Sequence, residues 1–304
     1  MQDPFTTRPV RDRSLTELLA SPGTFVAAGA HDALTARIVT EAGYDVVWAS
    51  SFAISLATYC MPDADLLTLT ETAQCVQALA GAAGVPILAD CSAGFGNAIN
   101  VLRVVRELER AGASGICIED NVFPKRSSLY GGWERTLVPP DEMAQKVRAA
   151  RSARSSDGFA VVARVESLIA GEGVEAALER GRIYAAAGAD AILVHSKRWD
   201  PLAEVAARWN ADAPLVVVPT LFPEVPFADL RDAGFRLVIY PNQTVRAAIV
   251  AMREVLDRIL RTGDTAGGGV PIATLDETYE LVDLDALRHA EAELFAPAEI
   301  AAAS

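Results

Sequence analysis

The chain has 304 residues, 51% of them hydrophobic and 22% charged, a composition able to bury the core of one large α/β domain. Its net charge of −13 argues against a nucleic-acid partner, because a polyanion attracts basic surfaces. No apolar run approaches the ~20 residues of a membrane span, and the opening MQDPFTTRPVRDRS is polar and mixed in charge, unlike a basic-then-apolar leader. A soluble, cytoplasmic protein with no membrane partner is expected. Cys60, Cys75, Cys91 and Cys117 show no CxxC spacing. With Cys75 in a helical pattern and Cys117 in a strand pattern, buried free thiols are expected rather than disulfides.

In chain order the strand candidates are TFVAAGA (24–30), EAGYDVVWAS (41–50), VPILAD (85–90), RAGASGICIED (110–120), FAVVARVE (159–166), AAGADAILVHS (186–196), PLVVVPT (214–220) and DAGFRLVIYPN (232–242). Four of them share one phrase: a helix end, a glycine (Gly43, Gly112, Gly188 or Gly234), then a short apolar run. The glycine takes the left-handed conformation that ends a helix. The run reads as a strand buried on both faces, as in a parallel sheet. Stretches such as AINVLRVVRELERAG (98–112) and GVEAALERGRIYAAAG (173–188) between them have helical period.

Eight such alternations predict a (β/α)8 TIM barrel over residues 1–261. No GxGxxG follows the first strand, which argues against a dinucleotide fold. TGDTAGGG (262–269) reads as a flexible linker. It opens a C-terminal helical extension, 262–304, that packs on its own barrel or docks on a neighbouring subunit.

Barrel active sites are built at the carboxyl ends of the strands. Those ends read His31–Asp32, Ser50–Ser51, Asp90, Glu119–Asp120, Arg164 with Glu166, His195–Ser196, Thr220 and Asn242. A structural barrel has no need of a polar residue at all eight ends, so their convergence predicts a site. Asp90 and Glu119, with Asp63 in the loop after strand 2, are oxygen donors suited to Mg²⁺, although Asp63 alone reads equally as a helix N-cap. Arg164 offers a planar fork for a carboxylate or oxyanion, or an ion pair with Glu166 or Glu119. His195 is suited to donating to a substrate oxygen or to acid–base work. His31 is as well suited to shaping the site as to touching substrate, and His289, in the tail helix, reads as structural. The long loop NVFPKRSSLYGGWERT (121–136), with Gly131 and Gly132 as hinges, reads as a lid. It carries Lys125, Arg126, Ser127 and Ser128 over the site; the plainer reading is a solvated basic loop.

On these residues the chain resembles the phosphoenolpyruvate mutase/isocitrate lyase superfamily. GAHDALTARI (29–38), WAS (48–50), PDAD (62–65), LADCSAGFGN (88–97), IEDNVFPKRSS (118–128), VARVESLIAGEG (162–173), ADAILVHSK (189–197) and VVPT (217–220) stand in that family's order and spacing. They are most similar to phosphoenolpyruvate mutase and phosphonopyruvate hydrolase. The resemblance implies that Asp90 and Glu119 hold Mg²⁺ largely through waters, with Asp63 in the same shell. It implies that Ser50 and the backbone at Ser51 bind the carboxylate or carbonyl of a small, anionic, pyruvate-like substrate, and that Arg164 and His195 grip its oxygens. Lys125 and Ser127 then act from the lid, with Asn121 and Ser128 also facing substrate. It further implies a homo-oligomer, a tetramer that swaps its C-terminal helix between neighbours.

Three positions depart from the family's pattern. Ser92 stands where a second Asp is usual, Asn121 where the mutases have Lys, and Ser127 where they have Asn, the hydrolases Thr and the C–C lyases Cys. The activity implied is a Mg²⁺-dependent mutase that moves a tetrahedral oxyanion group, phosphoryl or an arseno analogue, between the enol oxygen and C3 of pyruvate. The alternatives are a phosphonopyruvate hydrolase, a C–C lyase of an oxaloacetate-like or malate-like acid, and an inactive barrel scaffold.

Overall fold

The structure is a computed structural model that describes residues 13–127, 130 and 135–295. Ser128, Gly131 and Gly132 of the predicted lid lie outside the described residues. The eight predicted runs form parallel strands: β1 Phe25–Ala30, β2 Val46–Ala49, β3 Ile87–Asp90, β4 Gly115–Glu119, β5 Ala160–Val165, β6 Ala191–Val194, β7 Leu215–Val217 and β8 Leu237–Tyr240. They close in sequence order into a (β/α)8 barrel, with β8 pairing to β1. The recurring glycines behave as their context requires: Gly43, Gly112, Gly188 and Gly234 all have φ between +87° and +102°.

Side chains alternate across each strand, and the alternation separates two apolar layers. Val46, Trp48, Leu88, Cys117, Val162, Leu193, Val216, Leu237 and Ile239 fill the barrel interior. Val47, Ile87, Ile116, Val161, Ile192 and Val238 face the surrounding helices. The helix Leu15–Ala20, closed at its start by a Ser14/Glu17 capping box, adds Leu15, Leu18 and Leu19 to the interior layer. All four cysteines are free. Cys91 and Cys117 are buried, but Cys60 is exposed at the end of the helix Ser51–Tyr59, where it takes a left-handed conformation with φ +53°.

The chain divides into two compact units after Ala247, within the helix Gln243–Thr262. In the C-terminal unit the predicted linker holds a 3-10 turn, Gly267–Gly269, and two short helices follow, Leu275–Leu281 and Leu284–Leu294.

Barrel closure leaves no room for a side chain at Gly29. A Cβ on Gly29, in β1, would fall on the backbone carbonyl of Pro241, just past β8. Backbone cannot step aside as a flexible side chain can, so Gly29→Ala should lower the unfolding free energy by about 1–3 kcal/mol, the range for an overpacked core. Urea denaturation should show a lower midpoint at unchanged slope. An unchanged midpoint would show that the β1–β8 seam yields easily.

Candidate active site

The alternation that fills the barrel also aims the site. On each strand the inward residues recur every second position, and the series runs past the last apolar layer. Trp48 leads to Ser50, Leu88 to Asp90, Cys117 to Glu119, Val162 to Arg164, Leu193 to His195 and Val216 to Val218. All six line one cavity at the carboxyl end of the barrel, with Asp63, Lys125 and Ser127 from the loops. Trp48, Phe52, Thr220, Pro241 and Asn242 complete its wall. Nothing about Trp48 or Phe52 beyond their place beside a strand end marks them in the sequence.

One side of the cavity is acidic. Ser51 Oγ donates to Asp90 Oδ2 at 2.7 Å and accepts from Lys125 Nζ at 3.0 Å. Lys125 Nζ also pairs with Asp63 Oδ1 at 2.8 Å. Burial alone would lower the affinity of the Lys125 amine for its proton, but Asp63, Asp90 and Glu119 outweigh burial and raise it. Glu119 lies 3% exposed, accepts from Asn121 Nδ2 at 2.9 Å and is 3.5 Å from Arg164 Nε. Burial pushes its carboxyl pKa up, against the pull of Lys125 and Arg164.

Ser51 and Asn121 therefore stand behind the carboxylates, outside the cavity wall. Ser50 Oγ accepts from Ala53 N–H as the N-cap of the helix Ser51–Tyr59. Ser92 also faces away from the main cavity: its backbone N–H bonds Asp90 Oδ1 at 3.1 Å and its hydroxyl bonds Asp65.

Asp65 went unrecognised within the PDAD motif. Its Oδ2 accepts from the Lys125 backbone N–H at 2.6 Å, while the Asp63 N–H donates to Tyr130 Oη at 3.0 Å. The two aspartates thus tie the strand-4 loop down beside the acidic wall, and Lys125 and Ser127 are buried there, 4% and 5% exposed.

Among the described residues, no group of three or more His, Cys, Asp or Glu side chains is placed to hold a metal ion by itself. Asp63, Asp90 and Glu119 do present hard oxygens to one cavity. That donor set fits Mg²⁺, which keeps several of its own waters and needs few direct carboxylates.

The other side of the cavity is a clamp. Arg164 Nε donates to Glu166 Oε1, Arg164 Nη2 reaches His195 Nδ1 at 2.6 Å, and His195 Nδ1 is 2.9 Å from the same Glu166 oxygen. A guanidinium only donates, so Nδ1 accepts from Arg164 and the ring proton is assigned to Nε2. Burial, then the Arg164 charge, lowers the His195 pKa, which favours the neutral ring. Glu166 is fully buried, yet the charge of Arg164 overrides burial and holds its pKa down.

His31 contacts Thr35 Oγ1 at 3.3 Å, apart from the residues that line the cavity. His289 is exposed and pairs with Glu293 at 3.3 Å.

The family model described as phosphoenolpyruvate phosphomutase matches residues 15–260. The chain belongs to that family. It is 39% identical over 285 residues to a phosphonopyruvate hydrolase of Variovorax sp. (strain Pal2), covering 93% of this chain and 98% of the relative. It is 35% identical over 282 residues to a 2,3-dimethylmalate lyase of Eubacterium barkeri, covering 91% and 96%. The structure matches that of a phosphoenolpyruvate phosphomutase from Streptomyces platensis subsp. rosaceus with TM-score 0.88 and 40% identity, covering 92% and 97% of the two chains. It matches a phosphonopyruvate hydrolase in complex with oxalate and Mg²⁺ with TM-score 0.85 and 40% identity, covering 91% and 96%. Proteins similar to this chain thus include mutases, hydrolases and lyases, and the chain is an enzyme of that superfamily.

The clamp makes a stability prediction. Glu166→Gln takes the nearest carboxylate from the Arg164 guanidinium and leaves the more distant Glu119, and breaking such a buried pair should cost about 3 kcal/mol. The change is read from the urea midpoint. An unaltered midpoint would show that the Glu166 charge is dispensable.

Proposed function

We propose that the enzyme is a Mg²⁺-dependent mutase of the phosphoenolpyruvate mutase type, acting on a pyruvate-like substrate that carries a tetrahedral oxyanion group. In the reaction the bond from the enol oxygen to phosphorus, or to arsenic in an arseno analogue, breaks and a bond from C3 to that atom forms, with no atom gained or lost. Asp63, Asp90 and Glu119 would hold the metal. Bound Mg²⁺ would supply positive charge to the oxygens of the pyruvate enolate.

The chain's own groups account for the rest. Ser50 and the backbone at Ser51 orient the carboxylate. Arg164 supplies fixed positive charge, and His195 donates a hydrogen bond from Nε2 to a substrate oxygen. Lys125 and Ser127 face the migrating group, and Ser128 is assigned to substrate binding with them. Asn121 acts indirectly, by holding Glu119. Such chemistry relies on positioning and preorganised charge more than on covalent steps.

The observation that carries this reading is the burial of Lys125 and Ser127 at the cavity, on a loop tied down by Asp63 and Asp65. A group held there is kept from water, which favours transfer to carbon over hydrolysis. The lyase reading draws no support from the site, because none of the four cysteines lines the cavity. Room for a group larger than phosphoryl rests on Ser127 alone, since Ser92 faces elsewhere.

Phosphorus NMR of the enzyme with phosphonopyruvate and Mg²⁺ tests the reading, and conversion to phosphoenolpyruvate is the expected result. Release of inorganic phosphate would replace the mutase with a hydrolase. Unchanged phosphonopyruvate alongside turnover of its arsono counterpart would assign the arseno group.

We also propose that the enzyme is a homo-oligomer, tetrameric as its resemblance implies, with the C-terminal helices 262–304 exchanged between subunits and the barrel domain 1–261 as the catalytic part. Supporting it, the helix Gln243–Thr262 exposes Val250, Leu256 and Leu260, at 65%, 65% and 88%. Light scattering should give a multiple of the chain mass that falls on Leu256→Glu with Leu260→Glu; a monomer would refute it. A cytoplasmic setting is part of the same proposal, and no helix among the described residues is long and apolar enough to cross a membrane.

A further inference from the structure

Behind the clamp, on the outer side of the strands, lies a second set of buried polar groups that no step of the proposed reaction uses. Asp120 is fully buried and follows Glu119, so the alternation that turns Glu119 into the cavity turns Asp120 away from it. Its Oδ1 accepts the Glu166 backbone N–H at 2.9 Å. Its Oδ2 accepts from Tyr184 Oη at 2.7 Å and from Arg180 Nη1 at 3.3 Å. Arg180 and Tyr184 occupy one buried face of the helix Gly173–Ala186.

Arg180 reaches further. Nη1 also donates to the Val138 carbonyl at 2.9 Å, and Nε and Nη2 grip the two oxygens of Glu172 at 3.0 and 3.4 Å. Val138 ends the strand-4 loop, and its N–H bonds the Asp120 carbonyl at 2.9 Å. The network therefore touches two things the site depends on: the backbone of Glu166 and the stem of the loop that carries Lys125 and Ser127.

A buried ion pair is weak evidence of stability, because apolar residues of similar volume commonly serve a fold as well. Side-chain placement gives this one a purpose. Glu166 supplies the oxygen that holds Arg164, which in turn donates to His195, and the Glu166 backbone N–H is held by Asp120.

We propose that Asp120, Arg180 and Tyr184 are positioning residues that set where Glu166 holds Arg164, and through Arg164 His195, and through Val138 fix the stem of the catalytic loop. The proposal rests on reading Arg164 and His195 as the pair that grips substrate oxygens. None of the three lines the cavity, so any effect they have on binding passes through the clamp or the loop.

Tyr184→Phe removes one hydrogen bond to Asp120 and keeps the ring, and Arg180→Lys keeps charge while losing the fork. Two readouts on the full-length protein separate the proposal from the functional reading. The chain has three histidines, so the ¹⁵N imidazole signals of His195 can be assigned by their loss in His195→Asn. The proposal expects both variants to move those signals with no ligand present. It also expects the dissociation constant of oxalate, measured calorimetrically with Mg²⁺, to rise ~10-fold in Tyr184→Phe, as for loss of a group that orients a binding residue. In a His195→Asn background the same change should cost less than ~2-fold, because groups acting through one another are not additive.

Unmoved His195 signals in both variants overturn the proposal, as do equal losses in the two backgrounds. If the unaltered protein does not bind oxalate but the His195 signals move, the functional reading fails and the positioning network stands.

Discussion

Closure of a parallel sheet into a barrel is the constraint on which everything else here depends. Once β8 pairs with β1, each strand has one face turned to a shared interior and the other to the helices. The period of two in the side chains then decides the direction of every residue up to the strand ends. One consequence is an apolar interior packed from Val46, Leu88, Val162, Leu193 and Leu237. The other is that Asp90, Glu119, Arg164 and His195 meet at its mouth, though the sequence between them runs over a hundred residues.

Burying those groups raises the cost of any unpaired charge, and the local geometry is the response to it. Each cation has found carboxylates: Lys125 lies at Asp63, Arg164 at Glu166 and, more distantly, Glu119. Carboxylates still predominate on the Asp63–Asp90–Glu119 side. Burial pushes the Glu119 proton affinity up, while the opposite wall holds donors. A site of this polarity suits a hydrated cation beside an anion. The same low dielectric explains why Asp120 is tied so completely by Tyr184, Arg180 and a backbone N–H. A buried carboxylate left unpaired would be protonated or would destabilise the fold.

Much of this was legible from the chain alone. The helix–glycine–strand phrase marked four βα units, because only glycine closes a helix cheaply in the left-handed region, and four further apolar runs of the same character completed the eight. Polar residues directly after apolar runs marked the site, because nothing else holds charges against a barrel core. What the sequence could not show was facing. Strands of a parallel barrel are apolar on both sides, so their runs carry no visible alternation, and Glu119 and Asp120 look equivalent as neighbours. Closure separated them, sending Glu119 to the cavity and Asp120 to the helix Gly173–Ala186. Partnership was equally hidden. Glu166 read as one candidate ion pair among two, Asp65 as part of a loop motif, and Ser51 and Asn121 as substrate contacts. Their roles depend on distances between segments brought together only by the tertiary fold: Glu166 beneath both Arg164 and His195, Asp65 on the Lys125 backbone, Ser51 against Asp90. Sequence determined which chemistry is present at the strand ends. The packed barrel decided which groups face one another, because a few ångströms separate a ligand from its support.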